Sequence, residues 1–462
     1  MVIFCVLAGC AVGPNYKRPK VNAPSNFRGE EQIGTNSFGD LPWWEIFHDE
    51  NLQGLIRTAL SNNYDLRVAV TRVIQAQAVT AETRAQFFPQ VNYTGVAGSG
   101  KNTIPGSTSA FPTGGSNTTL FQGDLNASWE IDLWGRIRRM TESARAQYFA
   151  TQEARRDVTT SLIAQVAQDY FQMLALENEL AIERDATNAY AGSLKIFSQR
   201  LHEGAASKLE TSSAEALLDS AAATIPDLER QIAQLENQIS VLIGENPRAI
   251  PHDSSKLENQ FPPDVPAGLP AALLERRPDV REAEQQLHSA NAQVGVAKSD
   301  FFPQLSLTGL FGRVSPEVAT LTSGTALAWG AAGTLTGPLF QGGRLRAQYK
   351  QALAARDQYA LQYQSTVLNA FQEVSSALIA RQKLAESRFL HARAVESYQE
   401  AVKIVNQRYQ LGQSSYYEVL QEEQLLYPEE NSLVLTELNQ LSSIVQLYRA
   451  LGGGWRTEKQ TE

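Results

Sequence analysis

Hydrophobic and polar positions alternate strictly in one part of this chain and recur at helical spacing along most of the rest. Between residues 121 and 133, Phe121, Leu125, Ala127, Trp129, Ile131 and Leu133 interleave with Gln122, Asp124, Asn126, Ser128, Glu130 and Asp132. A period of two predicts a strand with one apolar and one polar face. A weaker version sets Leu327, Trp329, Ala331 and Leu335 against Ala326, Ala328, Ala332 and Thr334, and a third sets Leu305, Leu307 and Phe311 against Gln304, Ser306 and Thr308. Residues 66–86 are rich in Ala and Gln without Gly or Pro, which favours a helix. Pro89 ends it, because the residue before a proline avoids helical backbone angles. After Gly135 the pattern predicts about 65 helical residues, roughly 100 Å at 1.5 Å per residue. Val158, Leu162, Val166, Tyr170, Met173, Leu176 and Leu180 form its apolar stripe. The helix breaks at residues 202–204, where Gly204 suits a left-handed C-cap, and a returning helix runs to about Ile243 with a kink expected at Pro226. Residues 99–118 and 312–324 read as surface loops from their Gly, Ser and Pro.

This order occurs twice. Phe87-Phe88-Pro89-Gln90 returns 214 residues later as Phe301-Phe302-Pro303-Gln304, as Asp65-Leu66-Arg67 returns in Asp279-Val280-Arg281. Beyond the strands the offset becomes 208: Gly135-Arg136-Ile137-Arg138 matches Gly343-Arg344-Leu345-Arg346. Lys195-Ile196, Gln199-Arg200, Gly204 and Gly244 keep that offset to Lys403-Ile404, Gln407-Arg408, Gly412 and Gly452. Separate matches in one order indicate an internal duplication. The change of offset falls in the loop between the paired strands. The chain therefore divides into a first repeat over 51–248, a linker over 249–268, a second repeat over 269–454 and a tail over 455–462.

Composition narrows the class. The 462 residues are 43% hydrophobic, enough for a core, and the formal net charge of -9 argues against a nucleic-acid partner, which would want a basic face. No window approaches the ~20 apolar residues of a membrane-spanning helix. At the start, residues 1–9 form a short apolar run, and Leu7-Ala8-Gly9-Cys10 matches a lipoprotein cleavage site in which the Cys10 thiol takes the lipid. The run lacks a positive leading region and is shorter than the ~15–30 residues of a full signal, so it reads as truncated. With Cys5 in the removed segment, Cys10 is the one cysteine of the mature chain, which excludes a disulfide or a multi-cysteine metal site. Residues 10–50 then form an N-terminal anchor segment.

Four strands cannot close a barrel alone, and open edges are not viable in a bilayer. A membrane-embedded sheet would oblige copies of the chain to pool strands. The alternative is a soluble sheet packed on helices with its polar face in water; the lipid anchor, the tryptophans of the apolar face and the length of the helices favour the membrane.

Four segments carry a resemblance to a known family: Cys10-Ala11-Val12-Gly13-Pro14-Asn15-Tyr16-Lys17-Arg18-Pro19, Trp43-Trp44, Trp129-Glu130-Ile131-Asp132-Leu133-Trp134-Gly135, and Leu273-Leu274-Glu275-Arg276-Arg277-Pro278-Asp279-Val280-Arg281. They resemble the outer membrane factor lipoproteins, the TolC-like and NodT-like efflux group, over nearly the whole chain. The resemblance implies an α+β membrane protein whose homotrimer pools twelve strands into one barrel. Long antiparallel helices would form a periplasmic α-barrel with a small equatorial region. It also implies a periplasmic adaptor, an inner-membrane proton-driven pump of the RND type, outer-membrane lipid around the barrel, and a lipid-anchored outer-membrane location extending into the periplasm.

The tips marked by Gly204 and Gly412 are where such a duct would close. Glu210 and Glu418 lie six residues past these glycines, and Ser213 and Gln421 nine past. Positions three apart share a helix face, so each tip presents a polar patch, which for any single charge is equally an ordinary solvated face. By resemblance, Tyr417, Glu418 and Gln421 form the periplasmic gate. Gln421 replaces an expected acid, and Tyr416-Tyr417 places two aromatics there, which predicts aromatic closure with Glu418 as the remaining acidic ring. Arg200, Gly204, Ser207, Leu209, Arg408 and Gly412, with the adjoining tip segments, are the adaptor contacts that the resemblance implies. The two arginines have a second reading, as cations at helix C-termini. Pro428 should kink the last helix.

Other chemistries find no support. Gly95 to Lys101 fits the start of a phosphate loop, but Asn102 stands where Ser or Thr is needed and no helix follows. The five histidines have no ligand spacing, and there is no nucleophile elbow, so neither metal, cofactor nor enzyme is expected. From other classes, a lipid-anchored helical stalk without a lumen and a type I protein-secretion duct remain as alternatives.

Overall fold

The computed structural model describes residues 11–29, 37–101, 117–252, 257–261, 268 and 270–455. The signal at 1–9, the lipidation candidate Cys10 and residues 456–462 lie outside the described residues. The order is α1 (Trp43–Ile46), α2 (Glu50–Asn62), α3 (Tyr64–Ala85), β1 (Gln90–Lys101), β2 (Asn117–Ile131), α4 (Arg136–His202), α5 (Lys208–Leu242), α6 (Pro270–Arg276), α7 (Pro278–Ser299), β3 (Gln304–Ser315), β4 (Leu327–Thr336), α8 (Arg344–Gln410) and α9 (Tyr416–Ala450). From α3 to α5 and from α7 to α9 the same sequence of elements is built twice. The strands run further than their composition suggested: β1 continues to Lys101 and β3 to Ser315, through glycines that read as loop. Cross-strand pairing overrides the weak strand preference of Gly here. The Gly95–Lys101 stretch is therefore strand, with no phosphate-cradling turn.

Two compact units are formed, each drawing on both repeats: residues 1–20, 72–152 and 282–364 in one, and 21–71, 153–281 and 365–462 in the other. The first contains the antiparallel sheet, ordered β1-β2-β3-β4. Its register places Tyr93 opposite Leu125, Leu125 opposite Phe311, and Phe311 opposite Trp329. All four are exposed, at 87%, 52%, 60% and 75%. The next rows on that face add Val91, Trp129, Leu307 and Leu335, also exposed. The other face carries Thr94, Asp124, Asn126 and Gln122, where the Asn126 amide donates to the Thr94 hydroxyl at 2.9 Å and to Asp124, and Gln122 donates to Asp124 at 2.6 Å. Period two in sequence has become one apolar and one hydrogen-bonded polar surface.

The same unit clamps the N-terminal segment. Val12 N–H donates to the Trp134 carbonyl at 2.9 Å, and the Arg139 guanidinium donates to Asn15 Oδ1 at 2.8 Å. Asn291 donates to the Pro14 carbonyl at 3.0 Å, Tyr16 stacks on His288 with centroids 4.5 Å apart, and Arg18 pairs with Glu284 at 2.6 Å. Gly13 sits at φ +109°, where a Cβ would lie 2.4 Å from Gly295 Cα, so both its angle and its space demand glycine. At the foot of the strands Trp134 stacks on Phe302 at 4.8 Å and its Nε1–H donates to the Pro303 carbonyl at 2.7 Å.

The second unit contains α4 from residue 153, α8 from residue 365, the returning helices α5 and α9, and the α1–α2 segment, with Trp43, Ile46, Leu52 and Ile56 buried in its core. Here the duplication shows in the ties between helix ends. Asn63 Nδ2 donates to the Leu242 carbonyl at 3.0 Å; at the equivalent places in the second repeat, Arg277 Nη1 donates to the Ala450 carbonyl at 3.2 Å. The residue type changed and the capped carbonyl did not. Arg277 is also held by Asp279 at 2.8 Å, and these charge pairs with Glu373 compensate its burial. Both α5 and α9 run unbroken through Pro226 and Pro428, so neither proline ends its helix. No described helix is long and apolar enough to cross a membrane.

Candidate functional site

The hairpin turns use local chemistry twice. At the end of α4, Gly204 adopts φ +74°, its N–H bonds the Leu201 carbonyl at 3.0 Å, and Ala205 N–H bonds the Arg200 carbonyl at 2.7 Å. At the end of α8, Gly412 adopts φ +69°, with equivalent bonds to Tyr409 at 2.9 Å and from Gln413 to Arg408 at 2.8 Å. This pair of bonds is the Schellman arrangement, which satisfies the last carbonyls through a left-handed glycine. Those carbonyls need no cation.

The returning helices start on reciprocal capping boxes. Ser207 N–H donates to Glu210 Oε2 at 2.6 Å while Glu210 N–H donates to Ser207 Oγ at 3.3 Å. In the second hairpin Ser415 N–H and Oγ–H donate to Glu418 Oε1 at 3.0 and 3.2 Å. The backbone N–H of Ser207, followed by its hydroxyl, holds the Glu210 carboxyl below its ordinary pKa. The two glutamates picked out as a polar patch are therefore also the third helical residues of Ser-x-x-Glu boxes. The Ser-x-x-Glu spacing at 207–210 and 415–418 carries this signal in the sequence itself.

Of the remaining gate candidates, Tyr417 is 62% exposed and Gln421 is exposed one helical turn further on. Tyr416 is not beside them. It is 8% exposed, its Oη accepts from Ser193 Oγ–H of α4 at 3.1 Å, and it packs edge-on to Phe197 at 5.6 Å and Tyr409 at 5.0 Å. Of the two aromatics expected near the constriction, Tyr416 is turned into the core and Tyr417 is exposed, because successive residues on a helix point about 100° apart. Among the adaptor-contact candidates, Leu209 is 76% exposed and Ser207, Gly204, Arg408 and Gly412 are exposed. Arg200 follows neither a C-cap geometry nor free solvation: its Nη2 donates to Tyr409 Oη at 3.2 Å and the guanidinium lies 5.6 Å from the Tyr409 ring centroid.

Below these tips α4, α5, α8 and α9 share a core of Tyr190, Phe197, Ala214, Ala221, Val405, Tyr416, Val419 and Leu420. Among the described residues, a buried acid lies beside this core. Glu423 is 8% exposed, its Oε2 has no hydrogen-bond partner among the described residues, and burial pushes its carboxyl up to about 7. The spacing that separates it from Glu422 is the stripe of Tyr416, Leu420 and Tyr427, three and four residues away on the same helix face.

A model of the outer membrane efflux proteins matches residues 55–245 and 269–453. The chain belongs to the outer membrane efflux protein family. The match falls in two blocks, as the duplication does. The chain is 34% identical over 460 residues to the probable efflux pump outer membrane protein TtgC of Pseudomonas putida, covering 97% of this chain and 94% of that protein. It is 32% identical over 462 residues to the cation efflux system protein CusC of Escherichia coli, covering 98% of each. The open state of the Neisseria gonorrhoeae MtrE outer membrane channel superposes with a TM-score of 0.86 at 30% identity, over 97% of this chain and 99% of that one. The protein is accordingly an efflux component of the outer membrane.

Proposed function

We propose that three copies of this outer membrane efflux protein form one duct, passively conducting small molecules delivered by a periplasmic adaptor and an RND-type inner-membrane pump. In this reading twelve pooled strands close a barrel in the outer membrane, the helices form a periplasmic α-barrel, and the lipid on Cys10 anchors the N-terminus. Tyr417, Glu418 and Gln421 gate the duct, and the exposed tip residues around Gly204 and Gly412 receive the adaptor. The duct performs no covalent reaction and needs no cofactor.

The observation that carries this reading is the sheet. Its apolar row of Tyr93, Leu125, Phe311 and Trp329 is exposed across four strands, its reverse face is polar, and β1 and β4 are both open edges. Such a surface suits lipid outside and water within, and its edges need partners in a bilayer.

The duplication also specifies how the edges should meet. The β1–β2 and β3–β4 registers are related by the same offsets of 214 and 208 that relate the repeats, as Gln90↔Ser128 and Gln304↔Thr336 show. Carrying the β2–β3 register over by those offsets sets Leu335 of one copy opposite Gly95 of the next. A Leu335→Cys, Gly95→Cys double variant should cross-link into covalent trimers, whereas Leu335→Cys with Ser99→Cys should not. A trimer that cross-links only through Ser99→Cys would remove this register and leave the barrel standing. A monomer in detergent would remove the barrel. Planar-bilayer recording separates a duct from a non-conducting stalk, which passes no current, and permeation by small solutes without an unfolded polypeptide separates efflux from protein secretion.

A further inference from the structure

The duplicated hairpins differ most sharply at one ionisable residue. Glu423 of the second hairpin corresponds to Glu215 of the first, 208 residues earlier. Glu215 is exposed, while Glu423 is 8% exposed in the shared tip core. It lies on the same stripe of α9 as Tyr416, Leu420 and Tyr427, at intervals of three and four residues that give one helix face. That stripe meets α4.

Discrete contacts tie α4 to the start of α9. Ser193 bonds Tyr416 at 3.1 Å and Phe197 meets it edge-on at 5.6 Å, Tyr190 meets Tyr427 edge-on at 5.9 Å, and Asn431 donates to Glu183 at 3.1 Å. Between these ties Glu423 Oε2 is buried without a hydrogen-bond partner among the described residues, as are Thr187 Oγ1 and Asn431 Oδ1. A buried carboxylate that lacks partners is costly when ionised and tolerable when protonated.

We propose that Glu423 is a positioning residue of the gate: protonated, it lets the first turns of α9 lie against α4, and ionised, it releases them. This rests on the reading that Tyr417, Glu418 and Gln421, on those same turns, close the duct.

The surrounding groups leave the charge unrelieved. From α4 come Tyr190, with Glu183 and Asp185 further off; from α9 come Tyr416, Tyr427 and Glu430. From α8 comes Tyr409, whose own cation, Arg200, is bound to its hydroxyl and ring. From α5 come Ala214 and Ala221. Burial is the cause of the raised carboxyl pKa, and the tyrosines Tyr190, Tyr416 and Tyr427 are themselves raised, burial first, so none of them offers a charge at neutral pH. The sign follows from linkage. The packed carboxyl titrates near 7 and the released one near its ordinary 4.5, so the packed state holds one more proton between these values. Acid favours closure, and rising pH favours release until about 7, after which the effect is complete.

Conductance of the wild-type protein across planar bilayers from pH 5 to 8.5 tests this. The open-to-closed ratio should rise with pH by up to about tenfold per unit per chain, then flatten above 7. Glu423→Gln keeps the shape of the protonated acid and should hold its pH 5 behaviour throughout. Glu215→Gln should retain the wild-type curve. A Glu423→Gln protein with the wild-type curve, or a wild-type curve flat across the range, overturns the proposal. Amide exchange of residues 416–427 in the wild-type protein, corrected for intrinsic rates, gives a second reading that needs no variant. Protection should fall as pH rises from 5 to about 7 and level off above it, and constant protection overturns the latch. No current from the wild-type protein at any pH would instead remove the duct reading, and the exchange experiment still decides whether Glu423 governs α9.

Discussion

At each hairpin turn a positive-φ glycine and a Ser-x-x-Glu box recur 208 residues apart, yet the residues just past the caps take opposite courses. Lys208 of the first hairpin is exposed, and its counterpart Tyr416 of the second is buried against Phe197 and Ser193 of α4. Glu215 and Glu423 diverge in the same sense. Backbone terminators are kept in both copies because their hydrogen bonds are local and every helix end needs them. Core-filling side chains answer instead to neighbours on other helices, and Tyr416 meets Phe197 and Tyr409 where Lys208 meets solvent. The second hairpin thus became the one that reaches across, and its first turns depend on a contact that the first hairpin does not need.

Truncating that contact should give the largest difference. Tyr416→Ala removes a buried aromatic and should lower stability by about 3 kcal/mol, read as a shift in the denaturation midpoint. Lys208→Ala should stay within about 0.5 kcal/mol. Equal losses at the two sites would break the comparison. The caps should be alike where the core is not: Ser207→Ala and Ser415→Ala should each cost about 1 kcal/mol. Because Glu210 has a lowered pKa, its half of the box contributes above its ordinary value and is lost as pH falls through the lowered one. The Ser207→Ala penalty should therefore shrink in acid, measured by the same denaturation series at pH 7 and pH 3. The smallest effect separates the arginines. Arg200→Ala forfeits its contact with Tyr409 and should cost about 0.5–1 kcal/mol, while Arg408→Ala should leave tip stability unchanged. A cost at Arg408 equal to that at Arg200 would restore the C-cap reading of both.

Much of this architecture was legible because it is periodic or local. The alternation at 121–133 specified a two-faced strand, and the observed register aligned Leu125 with Tyr93 and Phe311 on one surface. The offsets located both turns to the residue, and the glycines at 204 and 412 adopt the left-handed angles that their positions required. The strand ends were less legible: Gly98, Gly100 and Gly312 favour loops by themselves, and only pairing with a neighbouring strand keeps them extended. At Glu210 and Glu418 two sequence signals overlap, the three-residue spacing to Ser213 and Gln421 and the spacing to the capping serine, and the structure realises the second.

By itself the sequence determined the duplication, the order of elements, the helix stops and the two faces of the strands. Each depends on hydrogen bonds or periodicities within a few residues, or on a repeat that can be counted. Tertiary structure alone decided which of Tyr416 and Tyr417 turns inward, that Arg200 seeks Tyr409, and that Glu423 is buried while Glu215 is not. Helical periodicity sorts residues into faces, but four packed helices choose which face meets which neighbour. That choice sets the solvation of each group, and with it the charge of an acid whose letters in the sequence are the same.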